Sequence, residues 1–306
     1  MSRATPRNLS ASISAKLLEH ARKSGEDFQF VLMRYGLERL LARLSRSEYA
    51  DEFVVKGALL FLVWTGERYR PTKDLDLMAA RTQSVEQLQT VFQMLCGAAM
   101  EEDGLTFVAS SIQAEEIREE DVYGGMRVTL EARLGKMRIP LQVDIGFGDA
   151  ITPAATAGKF PSLLAFDAPV LRMYPRETVV AEKFETMVTL GMANSRMKDY
   201  WDIQALARDF AFGGEMLTAA IRATFQRRRT ALPVEIPLGL SDEFAADTGK
   251  QAQWRAFVRR SRLKDTEFAP IVSSLRDFLI PPTVAARAGA PFPPQWPNGG
   301  PWAVGR

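Results

Sequence analysis

The chain has 306 residues, 46% of them hydrophobic, with 39 Lys and Arg against 37 Asp and Glu, one His and one Cys. That is an ordinary folded composition, long enough for two modest domains or one large one, and the net charge of +2 does not by itself identify a nucleic-acid partner. One histidine and one cysteine speak against a structural zinc site, a Ser-His-Asp triad or a Cys-His pair, which leaves carboxylates, lysine, arginine and hard cations to carry any chemistry.

Residues 1–27 are polar, and N-terminal helices are expected to accompany the core over 1–150. From Phe28 to Leu44, apolar residues at helical spacing predict an amphipathic helix. Phe53–Val55 reads as a buried strand, Ala58–Trp64 as a short helix behind it, and Asp74–Met78 as a second strand. Ser84 is a plausible cap for a helix running to about Met100, whose apolar face places Cys96 in the core instead of making it a nucleophile. Met126, Val128, Leu130, Ala132 and Leu134 alternate with polar residues, as do Ile139, Leu141, Val143 and Ile145 after the turn Gly135-Lys136, so 123–147 reads as a hairpin. Pro140 suggests an edge or bulge early in its second strand. A loop-like stretch after Gly148 marks a boundary. Helices are then expected over about 177–190, 198–210, 215–229 and 250–262, and the Pro/Gly-rich residues 281–306 as an extended or mobile tail. No apolar run reaches the ~18–20 residues of a membrane span and no signal-peptide centre is visible, so a cytoplasmic location is expected.

With a period of two, Asp74 and Asp76 share one strand face while Leu75 and Leu77 point into a core. Side-by-side carboxylates repel, and a divalent cation, with oxygen ligands that suit Mg²⁺, relieves them. Asp144 falls on the polar face of the later hairpin strand. Taken singly, such residues are equally read as solvated strand aspartates. Lys183, on the flank of an apolar helix stripe, is equally read as a snorkelling lysine, and Asp199 and Asp202 as acids favoured near a helix N-terminus.

Taken in order, Lys56-Gly57, the run Arg70-Pro71-Thr72-Lys73-Asp74-Leu75-Asp76-Leu77, Val143-Asp144-Ile145, Glu182-Lys183-Phe184 and the stretch from Arg196 through Asp199 to Asp202 resemble the nucleotidyltransferase superfamily. Within it they are most similar to the AbiEii-type nucleotidyltransferase toxins of abortive-infection and toxin–antitoxin systems. The resemblance implies an α+β fold: a mixed-sheet core with flanking helices over 1–150 and a mainly helical lobe over 151–280 that contributes lysine and aspartate. It implies Asp74, Asp76 and Asp144 as ligands of Mg²⁺, Asp144 also as proton acceptor, Lys183 on nucleotide phosphates, and Asp199 or Asp202 orienting it. Lys56, Gly57, Arg70, Thr72, Lys73 and Arg196 are the implied nucleotide- or phosphate-binding residues. The implied activity moves a nucleoside monophosphate from an NTP to an RNA acceptor, the tRNA 3′ end foremost, releasing pyrophosphate. The implied partner is an antitoxin, often a winged-helix repressor.

The superfamily usually places Gly or Ser where Ala58 stands, which removes a hydroxyl contact to phosphate and leaves backbone N–H groups of the following helix for that task. Two alternatives therefore stand beside the first reading: a catalytically silent binding protein of the same fold, and a small-molecule nucleotidyltransferase. Two basic stretches, Arg222 with Arg227–Arg229 and Arg255 to Lys264, the latter interleaved with Trp254 and Phe257, are candidate RNA contacts or merely wet helix faces.

Overall fold

In the computed structural model the described residues are 9–66, 72–118 and 124–304, so the expectation for Arg70 lies outside them. The chain divides into two compact units: Met1–Gly148 with Thr156–Met173, and Asp149–Ala155 with Tyr174–Arg306.

The first unit opens with α1 (Leu9–Ser24), a helix in the polar N-terminal segment, with Ile13, Leu17 and Ala21 buried along one side. Asp27 caps α2 (Phe28–Ser45), accepting from the backbone N–H of Gln29 and Phe30. The core of the unit is a sheet with strand order β3-β4-β5-β2-β1-β7-β6 among the described residues. Its strands are β1 (Phe53–Lys56), β2 (Asp74–Ala79), β3 (Leu105–Arg118), β4 (Gly124–Leu134), β5 (Met137–Phe147), β6 (Thr156–Lys159) and β7 (Val170–Met173). Between them lie α3 (Leu60–Thr65) and α4 (Val85–Gly97), the latter closed at its start by a reciprocal capping box of Ser84 and Gln87.

The predicted hairpin forms with its apolar residues inward on both strands. Gly135 takes φ +60° at the first turn position, as a type II′ turn requires. β5 is an internal strand that pairs antiparallel with β4 and parallel with β2, but its ladder with β2 begins only at Gln142. Pro140 therefore stands before that ladder starts, where a missing N–H costs little.

The second unit holds α5 (Arg176–Leu190), α6 (Met197–Asp209), α7 (Gly214–Arg228), α8 (Asp242–Ala246), α9 (Thr248–Arg260), α10 (Phe268–Ala288) and a small ribbon of β8 (Phe212–Gly213) with β9 (Gln295–Trp296). Residues from 281 onward depart from the expected extended tail, because α10 continues through Pro281 and Pro282. Proline at 282 deprives the Phe278 carbonyl of its helical donor, and the Trp302 indole N–H supplies a replacement at 2.9 Å. Trp302 stacks on the Phe278 ring with centroids 5.8 Å apart, and Trp296 donates to Ala207 O at 2.7 Å. Prolines and tryptophans here pack a helix end.

Candidate active site

The sheet of the first unit carries a charged row. Lys56 on β1 faces Asp76 on β2, Asp76 faces Asp144 on β5, Asp144 faces Arg127 on β4, and Arg127 faces Glu115 on β3. Neighbouring strands are ~4.8 Å apart, so each residue has its row partner beside it on the same face. Asp74 lies two residues before Asp76, on that face and opposite Gln142. The two central carboxylates are thus flanked by a cation on either side.

Gly57 is required beside Asp76 on two grounds. Its φ is +76°, and a Cβ built there would stand 1.9 Å from Asp76 Oδ2. Lys56 extends towards Gly146 on β5, where a Cβ would come 3.1 Å from the lysine Nζ. Asp144 is held by a two-pronged pair: Arg127 donates from Nε to Oδ1 and from Nη2 to Oδ2, both at 2.8 Å. Gln142 adds donations at 3.2 Å. The hydrogen bonds to Asp144, with the charges of Asp144, Asp74 and Glu115, raise the affinity of Arg127 for its proton against the opposing effect of burial.

Asp74, Asp76 and Asp144 offer the hard oxygen donors that a divalent cation takes. Among the described residues no three His, Cys, Asp or Glu side chains are gathered into a metal cage, and both oxygens of Asp144 are engaged by Arg127. The chemistry of Asp74 and Asp76 fits Mg²⁺, whereas the expected third ligand, Asp144, has its carboxylate committed to Arg127. Thr72 Oγ1 turns to Asp74 O at 3.5 Å, and Lys73 Nζ lies 5.5 Å from the centre of the Phe30 ring. Within the expected backbone cradle after Gly57, the N–H groups of Leu60, Phe61 and Leu62 donate to the Gly57, Ala58 and Leu59 carbonyls.

The second unit brings together a different constellation. Lys183 on α5 donates to Asp199 Oδ1 at 2.5 Å and reaches Asp202 Oδ2 at 2.9 Å, both on α6, while Arg196 Nε meets Asp199 Oδ2 at 2.7 Å. Asp199 and Asp202 are fully buried and the Lys183 side chain is 15% exposed. Asp199 does stand in the first turn of α6, as the helix-terminus reading has it, but the burial of both acids against Lys183 goes beyond that reading, and the lysine's ammonium lies on buried acids instead of snorkelling to water. Burial works to raise the Asp199 carboxyl, but the Lys183 ammonium and the Arg196 guanidinium overcome it and hold the group well below the usual carboxylate range.

Other expectations are corrected by packing. Arg222 donates to Ala286 O, and Arg228 is buried against Asp149 and Glu185, so these two members of the first basic stretch serve the fold. Trp254 is buried with its N–H on Thr266 O at 2.6 Å and is not displayed to stack on bases. Cys96 is only half-buried, yet burial pushes its thiol up to about 11, consistent with an inert residue.

The sequence profile described as nucleotidyl transferase AbiEii toxin, type IV toxin–antitoxin system, matches residues 39–279. The chain belongs to the AbiEii nucleotidyltransferase toxin family. It is a nucleotidyltransferase, and AbiEii membership implies a nucleoside triphosphate substrate and an antitoxin partner. Its fold is similar to that of the nucleotidyltransferase toxin MenT4 of Mycobacterium tuberculosis, at 16% identity and TM-score 0.51, covering 90% of this chain and 99% of that one. It is also similar to JHP933 of Helicobacter pylori, at 13% identity and TM-score 0.50, covering 86% and 98%. No curated protein sequence matches the chain. Among the described residues no helix is long and apolar enough to cross a membrane.

Arg127 and Glu115 were not singled out from the sequence as members of the charged row, although the signal for Arg127 was present. Counting seven residues out from Leu134 and Met137 at the turn reaches Arg127 and Asp144.

Proposed function

We propose that this AbiEii-family enzyme transfers a nucleoside monophosphate from an NTP to the 3′ end of an RNA, with tRNA as the acceptor, in the presence of Mg²⁺ and with release of pyrophosphate. The observation that carries this reading is the charged row itself, in which Asp76 and Asp144 stand side by side between Lys56 and Arg127. A divalent cation bound there supplies charge neutralisation for the triphosphate and the departing pyrophosphate.

The chain's own groups do the remaining work. Asp74 and Asp76 provide oxygen ligands from alternating positions, and Gly57, lacking a Cβ, lets the Asp76 carboxylate lie against the backbone. Asp144, its orientation fixed by Arg127, accepts the proton of the attacking ribose hydroxyl. As the new oxygen–phosphorus bond forms at the α-phosphate, the bond to the β-phosphate breaks and pyrophosphate leaves. Lys56 offsets negative charge at the row, and Thr72 and Lys73 precede it as phosphate contacts. In the second unit we assign phosphate contact to Lys183 and Arg196, with Asp199 and Asp202 as positioning residues that fix the lysine. The partner we assign is a winged-helix antitoxin, and the location cytoplasmic.

The test incubates purified protein with each labelled NTP, Mg²⁺ and total RNA, and compares wild type with Asp76→Ala and Lys183→Ala. Label is expected in RNA with wild type and reduced by at least about 100-fold in Asp76→Ala, roughly 2.7 kcal/mol of lost transition-state stabilisation. Equal incorporation by all three proteins overturns the site assignment. Label in a small molecule instead of RNA establishes the small-molecule alternative.

A further inference from the structure

A cavity of about 570 Å³ lies within the second unit, between the start of α6 and α9, and part of the second basic stretch lines it. Its size is that of a ligand pocket. Gln253, Ala256, Phe257 and Arg260 recur at helical spacing, so one face of α9 forms a wall, and Lys198 lies on the α6 side. Arg259 and Arg260 are exposed, and their guanidinium groups make no ion pair among the described residues. From Gln251 to Lys264 the sequence has five Lys and Arg and no Asp or Glu.

The helix dipole accounts for Arg259 and Arg260 in the last turn of α9, and the charge of Lys198, in the first turn of α6, acts on neighbouring Asp199. The lining of the cavity nevertheless gathers Arg196, Lys198, Arg259 and Arg260 with no Asp or Glu among them, a wall suited to an anion. The cations continue past the cavity through Arg262 and Lys264, an extent that suits a chain of phosphates better than one triphosphate.

We propose that this cavity holds the phosphodiester backbone of the acceptor RNA, with Lys198, Arg259 and Arg260 on its phosphates. The inference rests on RNA being the acceptor. With Trp254 turned inward, recognition here runs through backbone charge and is independent of base sequence.

The experiment measures binding of fluorescent bulk tRNA to the full chain by anisotropy between ~50 and ~200 mM salt. R259E/R260E is expected to bind at least about tenfold more weakly, with the slope of log K against log salt reduced by about 1.5 for two lost contacts, while Mg·ATP binding is retained. Ala256→Trp, which fills the cavity without changing charge, is expected to weaken tRNA binding in the same direction, and it decides the matter if the charge-reversed protein does not fold. Unchanged tRNA affinity in a folded variant overturns the inference, as does loss of Mg·ATP binding with tRNA binding intact. Displacement of tRNA by polyglutamate as readily as by poly(U) assigns the cavity to an acidic protein and overturns it too. If wild type labels RNA and R259E/R260E binds and labels it equally, only the cavity assignment fails. If wild type labels no RNA, the acceptor reading fails and the cavity assignment with it.

Discussion

At the scale of single residues, activity turns on groups whose neighbours leave little freedom. Gly57→Ala is expected to cost about 1–3 kcal/mol of stability and to abolish transfer, because the new methyl group meets the Asp76 carboxylate and the backbone is left-handed there. Urea unfolding beside the labelling assay checks both, and a stable, active Gly57→Ala protein contradicts the packing described. Lys183→Ala leaves Asp202 buried without its ammonium, a defect of about 3–5 kcal/mol, so its lost activity is read as functional only where circular dichroism shows the fold intact. Asp199 also fixes a pH dependence. Its folded carboxyl lies below the ordinary 3.8, so its contribution to stability is present above that value and is lost as pH falls below it. Melting temperatures of wild type are expected to drop more steeply from pH 4 downward than those of Asp199→Asn, and parallel curves contradict that sign.

At the scale of elements, the hairpin of β4 and β5 was legible because both strands keep strict alternation around a Gly turn. Its register then sets Arg127 against Asp144, a contact available from sequence by counting. β3 was not legible, since the register shift between Val108 and Gln113 interrupts the period of two. The short strands β6 and β7 carry too few residues to announce a period, with β6 half-buried at most. The acids of α6 were legible as a motif but not as a buried cluster, because their burial depends on Lys183 from a different helix. Arg127→Ala is expected to release Asp144 and to slow transfer by ~10–100-fold, the usual range when a partner orienting a metal ligand is removed. Mg²⁺ affinity measured by calorimetry in the presence of a non-hydrolysable NTP checks this independently of turnover. Equal affinity and rate in the two proteins contradict the orienting role.

At the scale of the whole molecule, composition spoke against a structural zinc site, a Ser-His-Asp triad or a Cys-His pair, and the ordered motifs pointed to the family that the profile match over residues 39–279 shows. The division into two compact units was visible only coarsely, because the chain enters the second unit at Asp149, returns to the first for Thr156–Met173 and then leaves it again. Local composition does not record such a double crossing. The Pro-rich C-terminal stretch misled for a similar reason: its helix is sustained by the tryptophan that follows, not by local propensity. Trp302→Ala is expected to destabilise the protein by about 3–5 kcal/mol through lost ring packing and an unpaired Phe278 carbonyl, read as a fall in the urea midpoint.

That the acidic row of the sheet drives addition of a nucleoside monophosphate to RNA is tested most directly by the mass of the RNA 3′-terminal fragment after incubation with Mg²⁺ and each NTP. Wild type is predicted to add one nucleoside monophosphate mass with equimolar pyrophosphate, and Asp76→Ala to add none. An unchanged RNA mass with folded wild type, or the same gain with Asp76→Ala, contradicts it.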